Sequence, residues 1–329
     1  MERRRRTIWK ALVRVGVLLL FLGVLLVALV RRWSGVEPLL GRLSVLAVAT
    51  AAVAVLVGAL CSFLSWRAIL IDLGSPLAVS AGMRVYFVGQ LGKYLPGSIW
   101  TPVVQMQLGR DYEIPRRASA AAAAISMFMV LGVGLLVSLL VLPLLGIGAF
   151  GRYSWALAVL PMLLLLLYPP LLNWVIRLLL HLARREPMPK DLTFAGIVRS
   201  AGWALLMWVC YGVQVWVLAR SIGVGGPALL VRVTGAFAGA WAIGFLLVVA
   251  PAGLGAREAA LILLLNPIMA ASQATVIAVV SRLLFTFADF GWGSAVAVAM
   301  ALRRLTRRAT ASHEPPMLSN PSGPPRDRG

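Results

Sequence analysis

The sequence predicts an all-α polytopic membrane protein. Three observations carry that expectation. The 329 residues are 60% hydrophobic and only 13% charged, with mean hydropathy +0.90, a composition unlike that of soluble domains. Several apolar runs reach the roughly 20 residues needed to cross a hydrocarbon core. Two of these stretches are interrupted by Pro and Gly beside ionisable side chains: Gln90-Leu-Gly-Lys93-Tyr-Leu-Pro96-Gly97-Ser98-Ile-Trp100 and Ala250-Pro251-Ala-Gly253-Leu-Gly255-Ala-Arg257-Glu258. Irregular backbone is tolerated at membrane depth only where protein buries it or water in a cavity solvates it.

Taken in order, residues 1–14 form a basic N-terminus containing Arg3 to Arg6, Lys10 and Arg14. The apolar run that follows, 15–30, ends Ala-Leu-Val-Arg-Arg with no small-x-small cleavage site, so it reads as an uncleaved first crossing. Further continuous crossings are predicted at 43–64, 118–142, 154–180, 200–219 and 273–302 from apolar length. Pro161, Pro169 and Pro170 are expected to kink or divide the fourth. The run Ala118 to Ala124 suits a close helix-packing face. Residues 83–108 and 230–267 contain the two breaks, and each reads as a helix-break-helix hairpin that enters and leaves on one side. The arm Ala256–Leu265 is only about ten residues, too short to span unaided. The tail 309–329 is rich in Pro and polar residues and is expected to be disordered.

Charge sets the orientation. The basic N-terminus, the segment 181–199 and the cluster Arg303-Arg304…Arg307-Arg308 belong on the cytoplasmic side by the positive-inside rule. Six full crossings plus two re-entrant hairpins satisfy all three positions and place both termini in the cytoplasm; Arg31, Arg32 and Arg42 are a mild violation. About eight transmembrane helices would fit the same parity if both arms of the second hairpin span a thinned region. The order crossing, crossing, hairpin, crossing then occurs twice within an integral membrane domain at 15–305. Each half, 15–150 and 153–305, holds an odd number of crossings, so the halves would be inverted, a recurrent transporter plan.

The formal net charge of +20 invites a nucleic-acid reading, but the positives flank apolar runs, where they match the positive-inside pattern and attract anionic lipid headgroups. Cys61 and Cys210 lie within apolar runs and read as core thiols, while His181 and His313 are far apart, so neither a disulfide nor a metal site is expected. No cofactor is expected either.

Only two of the eleven acidic residues, Glu258 and Asp289, lie inside apolar segments, with Lys93, Arg257 and Arg282 as matching bases. An unpaired charge at mid-bilayer costs about 2.5–3.5 kcal/mol, so five would cost about 15 without partners or water. Arg257 and Glu258 point about 100° apart on a helix and need separate partners. Arg282 and Asp289 are about 10 Å apart, too far to pair directly. A Glu258–Arg282 cross-pair would leave Arg257 and Lys93 freer to meet an anion. A helix starting near Ala256, after Gly253 and Gly255, would offer unpaired N–H groups at depth. A second start is signalled after Pro96-Gly97, with Ser98 or Thr101 as cap and Pro102 at the first position. Other readings stay open. The charges can serve as structural glue, and Lys93 can snorkel to the interface. Trp100, Tyr94 and Tyr86 suit interface aromatics better than ligand stackers. Gln90, Gln105 and Gln107 suit either a cavity wall or inter-helix hydrogen bonds.

These motifs, followed by Ser281-Arg282-Leu-Leu, resemble the membrane region of lysylphosphatidylglycerol synthases and the flippase-like proteins related to it, over roughly residues 10–305. Lys93, Pro96, Gly97, Trp100, Pro251, Gly253, Gly255, Arg257, Glu258 and Arg282 match the motifs. In the synthases this region is taken to translocate the aminoacylated lipid that a separate soluble domain makes. That soluble domain is not in this sequence, so the resemblance does not bring the synthase activity. Relatives often carry an acid early in the helix after the first hairpin; here that stretch is Ile125-Ser126-Met127-Phe128.

The resulting expectation is a lipid flippase or translocator for a lipid with a phosphate-bearing headgroup in the cytoplasmic membrane, and not an enzyme. Lys93, Arg257 and the two broken-helix starts would meet the headgroup, while Glu258 and Asp289 balance charge. The alternatives are a non-catalytic membrane partner of a glycosyltransferase or lipid synthase, an intramembrane lipid-modifying transferase, and a small-solute transporter. The transferase would need an accessible acid/base or metal-binding carboxylates, and no Asp-x-Asp pair occurs.

Overall fold

A computed structural model describes residues 33–94, 100–141, 161, 165, 168–246 and 255–311. All regular structure among them is helical. A short helix, α1 (Trp33–Leu40), leads into α2 (Val45–Asp72). The first broken element follows: α3 (Val79–Met83), a π-helical turn at Arg84–Val88, a 3-10 turn at Leu91–Tyr94, and α4 (Trp100–Arg110). Then come α5 (Arg116–Val141), α6 (Pro169–Leu182), α7 (Phe194–Ser221), α8 (Leu229–Leu246), α9 (Ala256–Leu265) and α10 (Ala271–Ala311). Among the described residues, four stretches are long and apolar enough to cross a membrane: α2, α5, α7, and α10 as far as Met300.

Local chemistry sets the helix limits. The Ser44 side chain accepts the Ala47 N–H at 3.1 Å to start α2, and the Thr193 side chain accepts the Gly196 N–H at 3.0 Å to start α7. Asp72 at the end of α2 accepts both the N–H (2.7 Å) and the hydroxyl (2.8 Å) of Thr193. Further along, Ser65 meets Ser200 at 2.8 Å, and Gly58 lies under the Tyr211 ring. Residue numbers fall along α2 as they rise along α7, so the two helices are antiparallel.

That relation organises the fold. The second predicted crossing of each half corresponds to α2 and α7, and these two pack along one another in opposite directions. The second hairpin, α8 and α9, packs against α5; the first hairpin packs against α10. Each hairpin's second arm also rests on the helix that follows it, α4 on α5 and α9 on α10. Exchanging the halves leaves this pattern of neighbours unchanged. Large apolar side chains on the outer faces, such as Val53, Phe128, Leu206 and Phe287, are exposed, as a lipid-facing surface requires.

Several boundaries differ from expectation. The second predicted crossing, 43–64, continues to Asp72 because Arg67 donates to the Leu77 carbonyl and Asp72 grips Thr193. The basic segment 181–199 is a loop only as far as Thr193, since Phe194-Ala-Gly-Ile-Val provides an apolar first turn for α7. Within the fourth predicted crossing, 154–180, α6 starts at Pro169 after an extended Tyr168, with prolines filling its first positions, as the expected effect of Pro169 and Pro170 requires. Asn173 fastens α6 to the loop through paired bonds with the Leu192 backbone. The last helix reaches Ala311, three residues into the predicted tail, because Leu302 to Arg308 contains no helix breaker. The N-terminus and first crossing at 1–30, most of 154–167, and 312–329 lie outside the described residues.

Candidate functional site

The broken elements and the helices around them enclose a cavity of about 310 Å³. Its wall is contributed by α2, both hairpins, α5, α7 and α10. Apolar side chains line most of it, and Lys93, Arg257, Arg282 and Asp289 all reach it. The two broken hairpins thus meet at one internal site.

The first hairpin delivers Lys93, whose Nζ lies 2.7 Å from each oxygen of the Asp289 carboxylate on α10. The neighbouring Tyr94 hydroxyl donates to Asp289 Oδ2 at 2.6 Å. This corrects the expectation of a free Lys93: pairing removes much of the cost of both charges at depth. It also places Tyr94 inside the cavity rather than at an interface. Tyr86 is likewise buried, its hydroxyl 2.7 Å from Ser62 Oγ, and it lines the cavity. The π-helical turn at 84–88 packs against α10, where Phe87 stacks on Trp292 at 4.8 Å.

The second hairpin delivers Arg257 and Glu258. Gly255 has φ 85° and ψ −49°, a conformation that side chains with a Cβ rarely adopt. From there α9 starts abruptly. Glu258 is 3% exposed; its Oε2 accepts the Gly255 N–H at 2.6 Å while its Oε1 lies 3.7 Å from Arg282 Nε on α10. The Glu258–Arg282 cross-pair is therefore present. Arg257 points the other way, with its guanidinium 4.8 Å from the Phe237 ring centre and 4.5 Å from that of Phe285. It forms no ion pair with a described carboxylate. Close approach of α8 makes this possible: a Cβ on Gly244 would sit 2.7 Å from Arg257 Cβ.

α10 therefore holds both hairpins through Arg282 and Asp289, seven residues and about 10 Å apart. The two side chains serve different hairpins, Arg282 facing Glu258 and Asp289 facing Lys93. Gln90 and Gln105, from opposite arms of the first hairpin, both line the cavity, whereas Gln107 is exposed. Trp100 is 40% exposed and does not line the cavity. The expected cap at Thr101 with Pro102 in first position is not formed, because Trp100 is already helical. Ser98 and the break residues Pro96, Gly97, Pro251 and Gly253 lie outside the described residues. No group of His, Cys, Asp and Glu among the described residues is arranged to hold a metal ion.

Sequence reasoning missed the aromatic part of the wall: Tyr211, Phe285 and Trp241, together with the Phe237 ring behind Arg257. An aromatic in an apolar helix serves lipid, core or cavity equally well, so its spacing carries no distinguishing signal.

Residues 11–293 match the family described as the lysylphosphatidylglycerol synthase TM region. No curated protein and no solved structure gives a significant match. With most of its length matched, the chain belongs to the family of the lysylphosphatidylglycerol synthase transmembrane region.

Proposed function

We propose that the protein translocates a lipid bearing a phosphate in its headgroup, acting as a transporter and not as an enzyme. The observation that carries this reading is Arg257: a cation at an internal cavity between two broken hairpins, stacked on aromatic rings and without a described carboxylate partner. A cation at membrane depth is costly, so one kept there without a carboxylate partner marks a functional site. The α9 start, one residue before Arg257, adds the positive end of its helix dipole, with the Gly255 N–H itself taken by Glu258. Family membership supports a membrane protein of the lipid synthase or flippase-like type. In this reading the headgroup enters the cavity while acyl chains remain in lipid, Arg257 meets the phosphate, and Lys93 and Arg282 line the path with their charges balanced by Asp289 and Glu258. In the same reading both termini face the cytoplasm, and a separate glycosyltransferase or lipid synthase supplies the lipid.

The test is headgroup translocation in proteoliposomes, with fluorescent anionic, zwitterionic and lysyl-modified lipids scored by an impermeant quencher. Wild type should move lipid, and folded Arg257→Ala and Lys93→Ala variants should lose it. Equal rates in wild type, variants and empty vesicles would overturn the proposal and favour a partner-docking role.

A further inference from the structure

The same cavity carries information about what accompanies the phosphate. Among the described residues its charged groups are three cations, Lys93, Arg257 and Arg282, and two anions, Asp289 and the adjoining Glu258. Both anions are matched, to Lys93 and Arg282. The segments joining the hairpin arms, 95–99 and 247–254, contain no ionisable residue. One positive charge is left over, on Arg257. A ligand carrying a single net negative charge neutralises the site. A zwitterionic headgroup leaves the positive charge uncompensated, and a headgroup with net positive charge adds to it in surroundings where unpaired charge is costly.

A second observation is independent of charge. Gln105 on α4 is 1% exposed and lines the cavity, yet its Oε1 has no hydrogen-bond partner among the described residues. The side chain is held by its stem, which packs so closely on Gly89 that a Cβ there would lie 2.4 Å from Gln105 Cγ. A buried acceptor without a donor is destabilising, so native structures rarely keep one. Here a ligand can supply the donor. Gln90, on the facing arm of the same hairpin, lines the same space with its amide beside the Tyr86 hydroxyl, and an amide can serve more than one partner. A hydroxyl satisfies an amide in either orientation, because it donates to the oxygen and accepts from the nitrogen.

We infer that the site selects a monoanionic phosphodiester whose second substituent is uncharged and hydroxylated, with Arg257 taking the phosphate and the Gln90 and Gln105 amides taking the hydroxyls. This inference rests on the translocation reading for its lipid context, but its recognition chemistry stands on the cavity alone. It departs from the cationic lysyl lipid that the family name suggests.

The experiment measures binding and transport separately, using the full-length protein. Binding is read by native mass spectrometry or by tryptophan fluorescence in detergent, and transport by the proteoliposome assay. The probes are phosphatidylglycerol, phosphatidylmethanol (the same charge without hydroxyls), phosphatidylcholine and lysyl-phosphatidylglycerol. Soluble glycerophosphoglycerol tests whether a free phosphodiester is accepted without its chains. Phosphatidylglycerol is expected to bind about tenfold more tightly than phosphatidylmethanol, the effect of one or two hydrogen bonds, and both more tightly than the zwitterionic and cationic lipids. Gln105→Met keeps the shape and removes the amide. It should abolish the preference for phosphatidylglycerol over phosphatidylmethanol while leaving thermal stability equal to or above wild type. Equal binding of the four lipids, or preference for the lysyl lipid, would overturn the inference. So would a Gln105→Met variant with the preference intact. Selective binding without transport would leave the inference standing and remove the translocation reading.

Discussion

The contact between Lys93 and Asp289 permits a quantitative test of how the first hairpin is held. At 2.7 Å and an effective dielectric of about 20, the attraction is about 6 kcal/mol before desolvation. Desolvation opposes it, and the Lys93 side chain is 34% exposed against 15% for Asp289, so a net coupling of about 2–3 kcal/mol is expected. The two single variants should differ. Lys93→Met leaves a carboxylate at depth with only the Tyr94 hydroxyl and should cost about 3 kcal/mol. Asp289→Asn retains an acceptor for Tyr94, and the lysine can turn toward its exposed side, so about 1.5 kcal/mol is expected. The Lys93→Met/Asp289→Asn double variant should cost less than Lys93→Met alone. Reversible unfolding in mixed micelles gives all four corners of the cycle. Additivity of the single effects within about 0.5 kcal/mol would refute the claim that this pair fastens the hairpin to α10.

Three further outcomes follow from the geometry. Glu258→Gln keeps an acceptor for the Gly255 N–H and loses only the charge facing Arg282, so it should cost about 2 kcal/mol; Glu258→Ala loses both and should cost about 4, by the same unfolding assay. Gly255→Ala, forced to φ 85°, should cost about 1–2 kcal/mol and make amides at the α9 start exchange faster with deuterium. Asn173→Ala removes both bonds to the Leu192 backbone and should cost about 2–3 kcal/mol, with earlier proteolysis in the 183–193 loop.

What the sequence made legible was set by the bilayer. Length and hydropathy located α2, α5, α7 and α10, and the unsuitability of Pro and Gly for helix interiors located both hairpins, down to the limits of α9. The need to pair Glu258 led to Arg282 because few bases lie at depth. Lys93 was misjudged for the opposite reason. Its partner Asp289 lies 196 residues away, and only the first hairpin's packing on α10 reveals that the two meet. Tyr86 and Tyr94 illustrate the same limit, since an aromatic ring near a break suits an interface as well as a cavity. Helix ends were displaced where a tertiary bond extended them, as Asp72 and Thr193 do for α2 and α7.

The exchange symmetry of the packing is broken by charge, and this bears on which surfaces can slide. α10 holds an ionic partner for each hairpin, whereas its counterpart α5 meets α8 through small and uncharged groups such as Ser138 against Gly239 and Val141 against Gly235. Moving the hairpins along α10 separates two ion pairs at depth; moving them along α5 separates none. Alternating access, in which one bundle rocks against another, should therefore use the α5 surface and carry α10 with the hairpins. Cross-linking distinguishes the surfaces. In a background of Cys61→Ala and Cys210→Ala, which removes the free thiols, the pair Ser138→Cys/Gly239→Cys spans the α5–α8 contact. An added Cβ at Gly239 would lie 3.6 Å from Ser138 Cβ, within the span a disulfide accepts. The pair Leu91→Cys/Gly293→Cys spans the first hairpin and α10, where an added Cβ at Gly293 would lie 3.4 Å from Leu91 Cγ. Oxidising the first pair should stop lipid translocation reversibly, and oxidising the second should leave it near the reduced rate. The reverse result would place the moving surface on α10, and both ion pairs would then have to break in every transport cycle.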